Sequence, residues 1–173
     1  VLLGAMPSRP FWNSPVLALL FLVSALSTGA AVILLARALF PARAADDAAR
    51  TQFHETGYLL TASDALLIGF ELMVVFLFIM FAYLTIGDVK EAVSVIMAGG
   101  ILATTFWFWF VALGLIIPVI VELYYVIPRL LYHQDYTPSR GMEIVIPLIV
   151  LVGGFVLRYV VVVAGQITGP VGL

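Results

Sequence analysis

The 173-residue sequence is 64% hydrophobic and only 10% charged, with a mean hydropathy of +1.17 and a formal charge of −2. Ordinary soluble domains carry about 25% charged residues, so a water-soluble globular protein is excluded. No basic cluster points to nucleic acid, and the absence of cysteine excludes disulfides, thiolate metal sites and cysteine-held iron–sulfur clusters in this stretch.

The opening phrase Val1-Leu2-Leu3-Gly4 is apolar and lacks the charged flank and small-residue cleavage site of a signal peptide. It reads as the tail of a preceding helix, which predicts an N-terminally incomplete chain. Four apolar runs follow, at 16–40, 59–86, 101–127 and 144–163. Each reaches the roughly 20 residues that an α-helix needs to cross the hydrocarbon. The runs are continuous rather than alternating, which favours helices over a barrel. The expected fold is therefore an all-α integral membrane domain with four transmembrane helices.

Arg37, Arg43, Arg50, Arg129 and Arg140 fall between the runs on one side, against Arg9 and Lys90 on the other. Basic residues favour the cytoplasm, so the first side is expected inside and both ends of the chain outside. Trp12, Trp107 and Trp109 then belong near the outer interface, and Tyr58, Tyr124, Tyr125 and Tyr132 near the inner one. The third apolar stretch, from Val93 to Ile127, is too long for one span and too short for two. Placing Phe106-Trp107-Phe108-Trp109-Phe110 at the outer boundary makes 92–100 a surface or re-entrant segment hinged at Gly99-Gly100. Pro118 should kink the third span, while Pro147 should fall in the first turns of the fourth, where proline costs little. The stretch from Arg43 to Arg50, with Asp46-Asp47, reads as solvated loop.

Carboxylates or an arginine interrupt three of the four runs. Asp64 and Glu71 are seven residues apart, hence on one helix face and about 10 Å from each other. With Glu122 in the inner half of the third span and Arg158 in the outer half of the fourth, they form a ladder: Asp64 and Glu122, then Glu71, then Arg158, then Gln166. Ionisable residues inside a bilayer are expensive and usually mark a pathway, so Asp64, Glu71, Glu122 and Arg158 are the proton-transfer candidates. The bland alternative is a structural ion pair of Arg158 with a carboxylate. His54 and His133 lie in loops that flank the spans, which disfavours haem; His54 with Glu55 could form a proton entrance or simply be solvated. Ser24, Ser27, Gly29, Gly153 and Gly154 read as small residues for close helix packing.

Several phrases carry a family resemblance. RPFWNSP at 9–15 with LALLFLVSALS at 17–27, DALLIGFE at 64–71, FWFWFVALGLIIP at 106–118 and LRYVVVVAGQITGPVG at 157–172 resemble, in order, the second half of the eight-helix NrfD-like family. These are the membrane subunits of polysulfide reductase type complexes. The most specific phrase joins Arg158 to the Gly165-Gln166-x-x-Gly169 terminus. The resemblance implies a bacterial or archaeal cytoplasmic membrane and an exchange of electrons with quinone, menaquinone or ubiquinone. It implies an outer-face iron–sulfur subunit and a molybdopterin catalytic subunit as partners, with lipid around the helices. It also implies a quinone pocket at the outer side, largely built from the family's first four helices, with Trp12, Asn13 and Gln166 in its vicinity; apart from the resemblance, no haem, flavin or metal is expected on this chain. The expected role is a quinone-interacting membrane anchor, non-catalytic or quinone-reactive. A proton- or ion-translocating subunit without a quinone site, or a purely structural anchor, are the alternatives.

Overall fold

The computed structural model describes residues 9–40, 47–85, 88–97, 99–132 and 139–169. Val1 to Gly4, Arg43, Ala45, Asp46, Gly87, His133 and the last residues from Pro170 lie outside the described residues, as do the side chains of Asp47, Arg50 and His54. The described residues are helical, with no strand. In chain order they form α1 (Pro15–Leu39), α2 (Asp47–Leu84), α3 (Asp88–Val93), a 3₁₀ turn (Ser94–Ile96), a π-helical segment (Thr105–Ile116), α4 (Ile117–Tyr132) and α5 (Arg140–Ile167).

Four stretches among the described residues are long and apolar enough to span a membrane: Pro15–Leu39, Glu55–Leu84, Thr105–Tyr132 and Arg140–Ile167. Side chains such as Leu66, Phe76, Ile120 and Phe155 are at least 60% exposed, as helices apolar all round require when lipid is the outer solvent. The protein is a multi-pass membrane protein.

The helices run further than the apolar runs alone suggest. Residues 47–58 form the first three turns of α2, so that 47–50, part of the expected solvated loop at 43–50, are helical, because hydrogen bonding along the helix continues past the hydrocarbon once the span has nucleated it. The third span ends at Tyr132 rather than at 127, carrying Pro128 inside α4. The fourth begins at Arg140, which puts Pro147 two turns inside α5 and not in its first turns. Nor does Pro118 produce a simple kink. The twelve residues before Ile117 wind as a π-helix, and the N–H of Ile117 bonds back to the Ala112 carbonyl, five residues away. Wider winding relieves the collision that a proline ring makes with the carbonyl four residues earlier in an α-helix.

Between α2 and the third span the chain turns back on itself. Gly99 takes φ +94, a conformation that side chains resist, and a Cβ on Gly100 would strike the Val95 carbonyl. That carbonyl instead accepts the Leu102 N–H at 3.1 Å, and the Trp107 indole N–H reaches the Ile96 carbonyl at 3.0 Å.

The four spans close into a ring: α1 packs on α2 and α5, α2 also packs on α4, and α5 packs on the π segment. The seam between α5 and the π segment is glycine on glycine. A Cβ on Gly114 would lie 2.7 Å from the Gly153 Cα, so the two backbones touch. α5 makes only light contact with α4 itself. The third and fourth spans are thus pinned together in one half of the bundle and diverge toward the arginine-rich end.

Candidate functional site

α2 and α4 carry three carboxylates into the interior. Asp64 is fully buried, Glu71 is 2% exposed and Glu122 3% exposed. The seven-residue spacing of Asp64 and Glu71 on an unbroken helix puts both on the inward face, with Ile68 between them at 0% exposure. α1 runs antiparallel to α2 and answers with hydroxyls in the reverse order. Ser27 Oγ donates to Asp64 Oδ1 at 3.0 Å, and Ser24, three residues earlier, lies beside Glu71. Ser24 and Ser27 are buried. Their small size does allow close packing, but they also belong to the polar series, which the packing reading missed. The signal was present: hydroxyls three apart on one span face acids seven apart on the next. Gly29, by contrast, is exposed, with nothing within 4 Å of a Cβ. It has no packing role among the described residues.

Asp64 and Glu122 meet across the contact between α2 and α4. Oδ2 of Asp64 and Oε2 of Glu122 find no hydrogen-bond donor, and neither does Oε1 of Glu71. Two carboxylates side by side offer acceptors only, so a proton placed between them turns a repulsion into a hydrogen bond.

Arg158 is half-buried and forms no ion pair within 4 Å among the described residues. Its Nη1 donates to the Gly154 carbonyl of its own helix at 2.7 Å. The guanidinium lies in the groove between α1 and α5, where the missing side chain of Gly154 makes room for it and for the Thr28 methyl. From there it acts on Glu71 through space.

At the opposite end from the arginine-rich loops, the segment before α1 straps the end of α5. Arg9 Nη1 donates to the carbonyls of Gly165 at 2.8 Å and Gln166 at 3.3 Å, and the Trp12 indole N–H donates to the Val161 carbonyl at 2.9 Å. An arginine here satisfies carbonyls that a helix C-terminus leaves open and complements its dipole. A Cβ on Gly165 would collide with the indole, and one on Gly169 would meet Arg9 Nη1 at 2.9 Å. The Gly-Gln-x-x-Gly phrase thus has a physical reason, two notches that receive Trp12 and Arg9. The side chains of Asn13 and Gln166 are exposed, so the structure does not bring them into an enclosed pocket with Trp12.

A cavity of about 60 Å³ opens at the arginine-rich end, between α1, α2, α4 and α5. Arg37, Gly57, Thr61, Glu122, Tyr125 and Glu143 are among the residues that line it. Arg37 crosses its mouth, donating to the Phe53 carbonyl with its guanidinium 4.0 Å from the Phe53 ring centre. Among the described residues no group of three histidine, aspartate or glutamate side chains could hold a metal.

The family model described as polysulphide reductase, NrfD, matches residues 1–170. The sequence is 33% identical over 165 residues to the C subunit of polysulfide reductase from Wolinella succinogenes, covering 95% of this protein and 48% of that one. It is 31% identical over 172 residues to the protein NrfD of Escherichia coli, covering 96% and 48%. A Haemophilus influenzae NrfD homologue is 30% identical over 172 residues, covering 96% and 47%. The chain therefore spans about half the length of the curated relatives it matches. No solved structure is a significant match. With four apolar spans and a family model matched over nearly its whole length, the chain belongs to the NrfD family of membrane proteins.

Proposed function

We propose that the protein is the quinone-interacting membrane anchor of a multisubunit respiratory oxidoreductase in a bacterial or archaeal cytoplasmic membrane. In this reading it holds quinone or quinol close to an iron–sulfur subunit on the outer face, which serves a molybdopterin catalytic subunit. The observation that carries it is the acid series inside the bundle, Asp64 with Glu122 and then Glu71 within the field of Arg158. Membership of a family that includes a subunit of polysulfide reductase supports it. Reduction of a quinone takes up two electrons and two protons, and oxidation of the quinol releases them. Electrons then pass between the quinone and the partner subunit, while the carboxylates of this chain hand protons along. Quinone is a substrate here and not a resident cofactor.

The protein's own residues divide the work. Ser27 fixes the rotamer of Asp64, Glu122 presents a second oxygen to it, and Arg158 keeps a positive field over Glu71 without locking it into a salt bridge. Each acid retains an oxygen free of other bonds, which is what a proton relay needs.

Asp64→Asn and Glu71→Gln in the assembled complex, each keeping the shape and removing the exchangeable proton, should lower quinone-linked turnover at least tenfold while subunit stoichiometry stays intact. A photoreactive quinone analogue should label the complex near residues 12–13 and 166. Unchanged turnover and proton uptake in both variants would end the relay reading. Absence of labelling would favour the second reading, a proton-translocating subunit without a quinone site.

A further inference from the structure

We infer that the cavity at the arginine-rich end is a water-filled vestibule through which the Glu122–Asp64 pair exchanges its proton with the aqueous phase on that side. The inference deepens the relay reading by naming its mouth, but hydration and exchange are properties of the resting protein and do not depend on quinone.

Two independent features point to water. Glu122 lines the cavity, is 3% exposed and has an Oε2 with no donor, so an unpartnered buried oxygen stands at the inner wall. Pro147 lines the same cavity two turns inside α5 and has no N–H, so the Glu143 carbonyl receives no bond from it. An unpartnered carboxylate oxygen and a proline that withholds the usual helix donor thus border one space. A water needs about 10–15 Å³ and two to four polar partners; the cavity of about 60 Å³ has the room, and Thr61, Glu122, Tyr125 and Glu143 are among the residues that line it.

The shape follows from the fold. The glycine seam at Gly114 and Gly153 holds the third and fourth spans together in the other half of the bundle and lets them part here, and Gly57 on α2 adds no side chain to fill the gap. The charged and titratable groups around Glu122 are Asp64 from α2, Arg37 from α1, Tyr125 from α4 itself and Glu143 from α5. Arg37 is tied to Phe53 at the mouth, and a proton can pass it by hopping along hydrogen-bonded water.

The test uses the assembled, full-length protein, in a background where an introduced cysteine is the one reactive thiol; this stretch contributes none of its own. In Val121→Cys the thiol lines the cavity, whereas in Ile120→Cys, one residue earlier, it faces outward at a position 60% exposed. A membrane-impermeant charged methanethiosulfonate should modify Val121→Cys from the arginine-rich side only, at least tenfold faster than Ile120→Cys. Infrared difference spectra on transfer to D₂O should show a carboxyl band, absent in Glu122→Gln, that exchanges without added quinone. Modification of Val121→Cys with a bulky reagent should slow that exchange at least tenfold. Equal rates at 120 and 121, or modification from the opposite side, would overturn the inference. So would a carboxyl band that fails to exchange, or one indifferent to the plug. Because no step requires turnover, loss of quinone activity alone leaves this result standing, and the two readings fail separately.

Discussion

The two ends of the bundle handle most of their polar groups in opposite ways, although the buried Ser14 hydroxyl at the α5 end is also without a partner. At the end where α5 finishes, Arg9 and Trp12 donate to backbone carbonyls, Trp107 ties the returning segment, and glycines are cut to the shape of what they receive. At the arginine-rich end the spans part around a cavity, and buried carboxylate oxygens go without donors. Satisfied groups stabilise a fold; an unsatisfied buried group costs about 1–3 kcal/mol, and more when charged, and persists only where something other than stability maintains it. The first end is built to stay shut, the second to exchange.

The sharpest way to break this contrast is to disrupt the closed end. Gly153→Val would force the Gly114 backbone away and separate the third and fourth spans. We expect a loss of more than about 3 kcal/mol, read as failure to recover monodisperse protein in detergent, since neither partner is a flexible side chain that could yield. Gly165→Leu should be nearly as damaging, because the Trp12 indole must leave its notch. Arg9→Ala removes two carbonyl bonds and a charge at a helix C-terminus. It should cost about 1–2 kcal/mol, measured as a lower thermal midpoint with assembly retained.

The open end should respond in the reverse sense. The isosteric Glu122→Gln should leave the thermal midpoint unchanged or raise it, because it supplies a permanent N–H donor to Asp64. A double-mutant cycle with Asp64→Asn should show coupling of about 0.5–3 kcal/mol, whereas Arg9→Ala with Asp64→Asn should be additive. The smallest effect belongs to Gly29→Ala, in open space on α1: a gain of no more than about 1 kcal/mol, from helix propensity alone.

The sequence carries the membrane architecture openly, because twenty apolar residues in a row have few other uses. The shared face of Asp64 and Glu71 is legible for a similar reason: seven residues make nearly two turns of any α-helix. What could not be read depends on contacts between distant segments or on a choice of winding. Pro118 announces a disturbed helix, but not that twelve preceding residues would widen into π geometry. That Arg158 would donate to the Gly154 carbonyl of its own helix, beside the empty side of that glycine, is not written in its spacing. Pro147 looked like a first-turn proline because hydropathy marks where the apolar run starts, while the helix itself starts earlier, at Arg140. The cavity has no motif at all, since it is the space left where two spans diverge.

The strap between Arg9 and Gly165 joins positions 156 residues apart. A ribosome releases residues in order, so Arg9 must wait for almost the whole of the sequence described here to be made and inserted before its acceptors exist. Until then the notch for Trp12 is absent and, of its two main packing partners, α1 has only α2. A nascent polypeptide that stalls before the last turn of α5 presents an unstrapped guanidinium and indole at the membrane surface, where a membrane-bound protease or chaperone could distinguish it from the finished bundle.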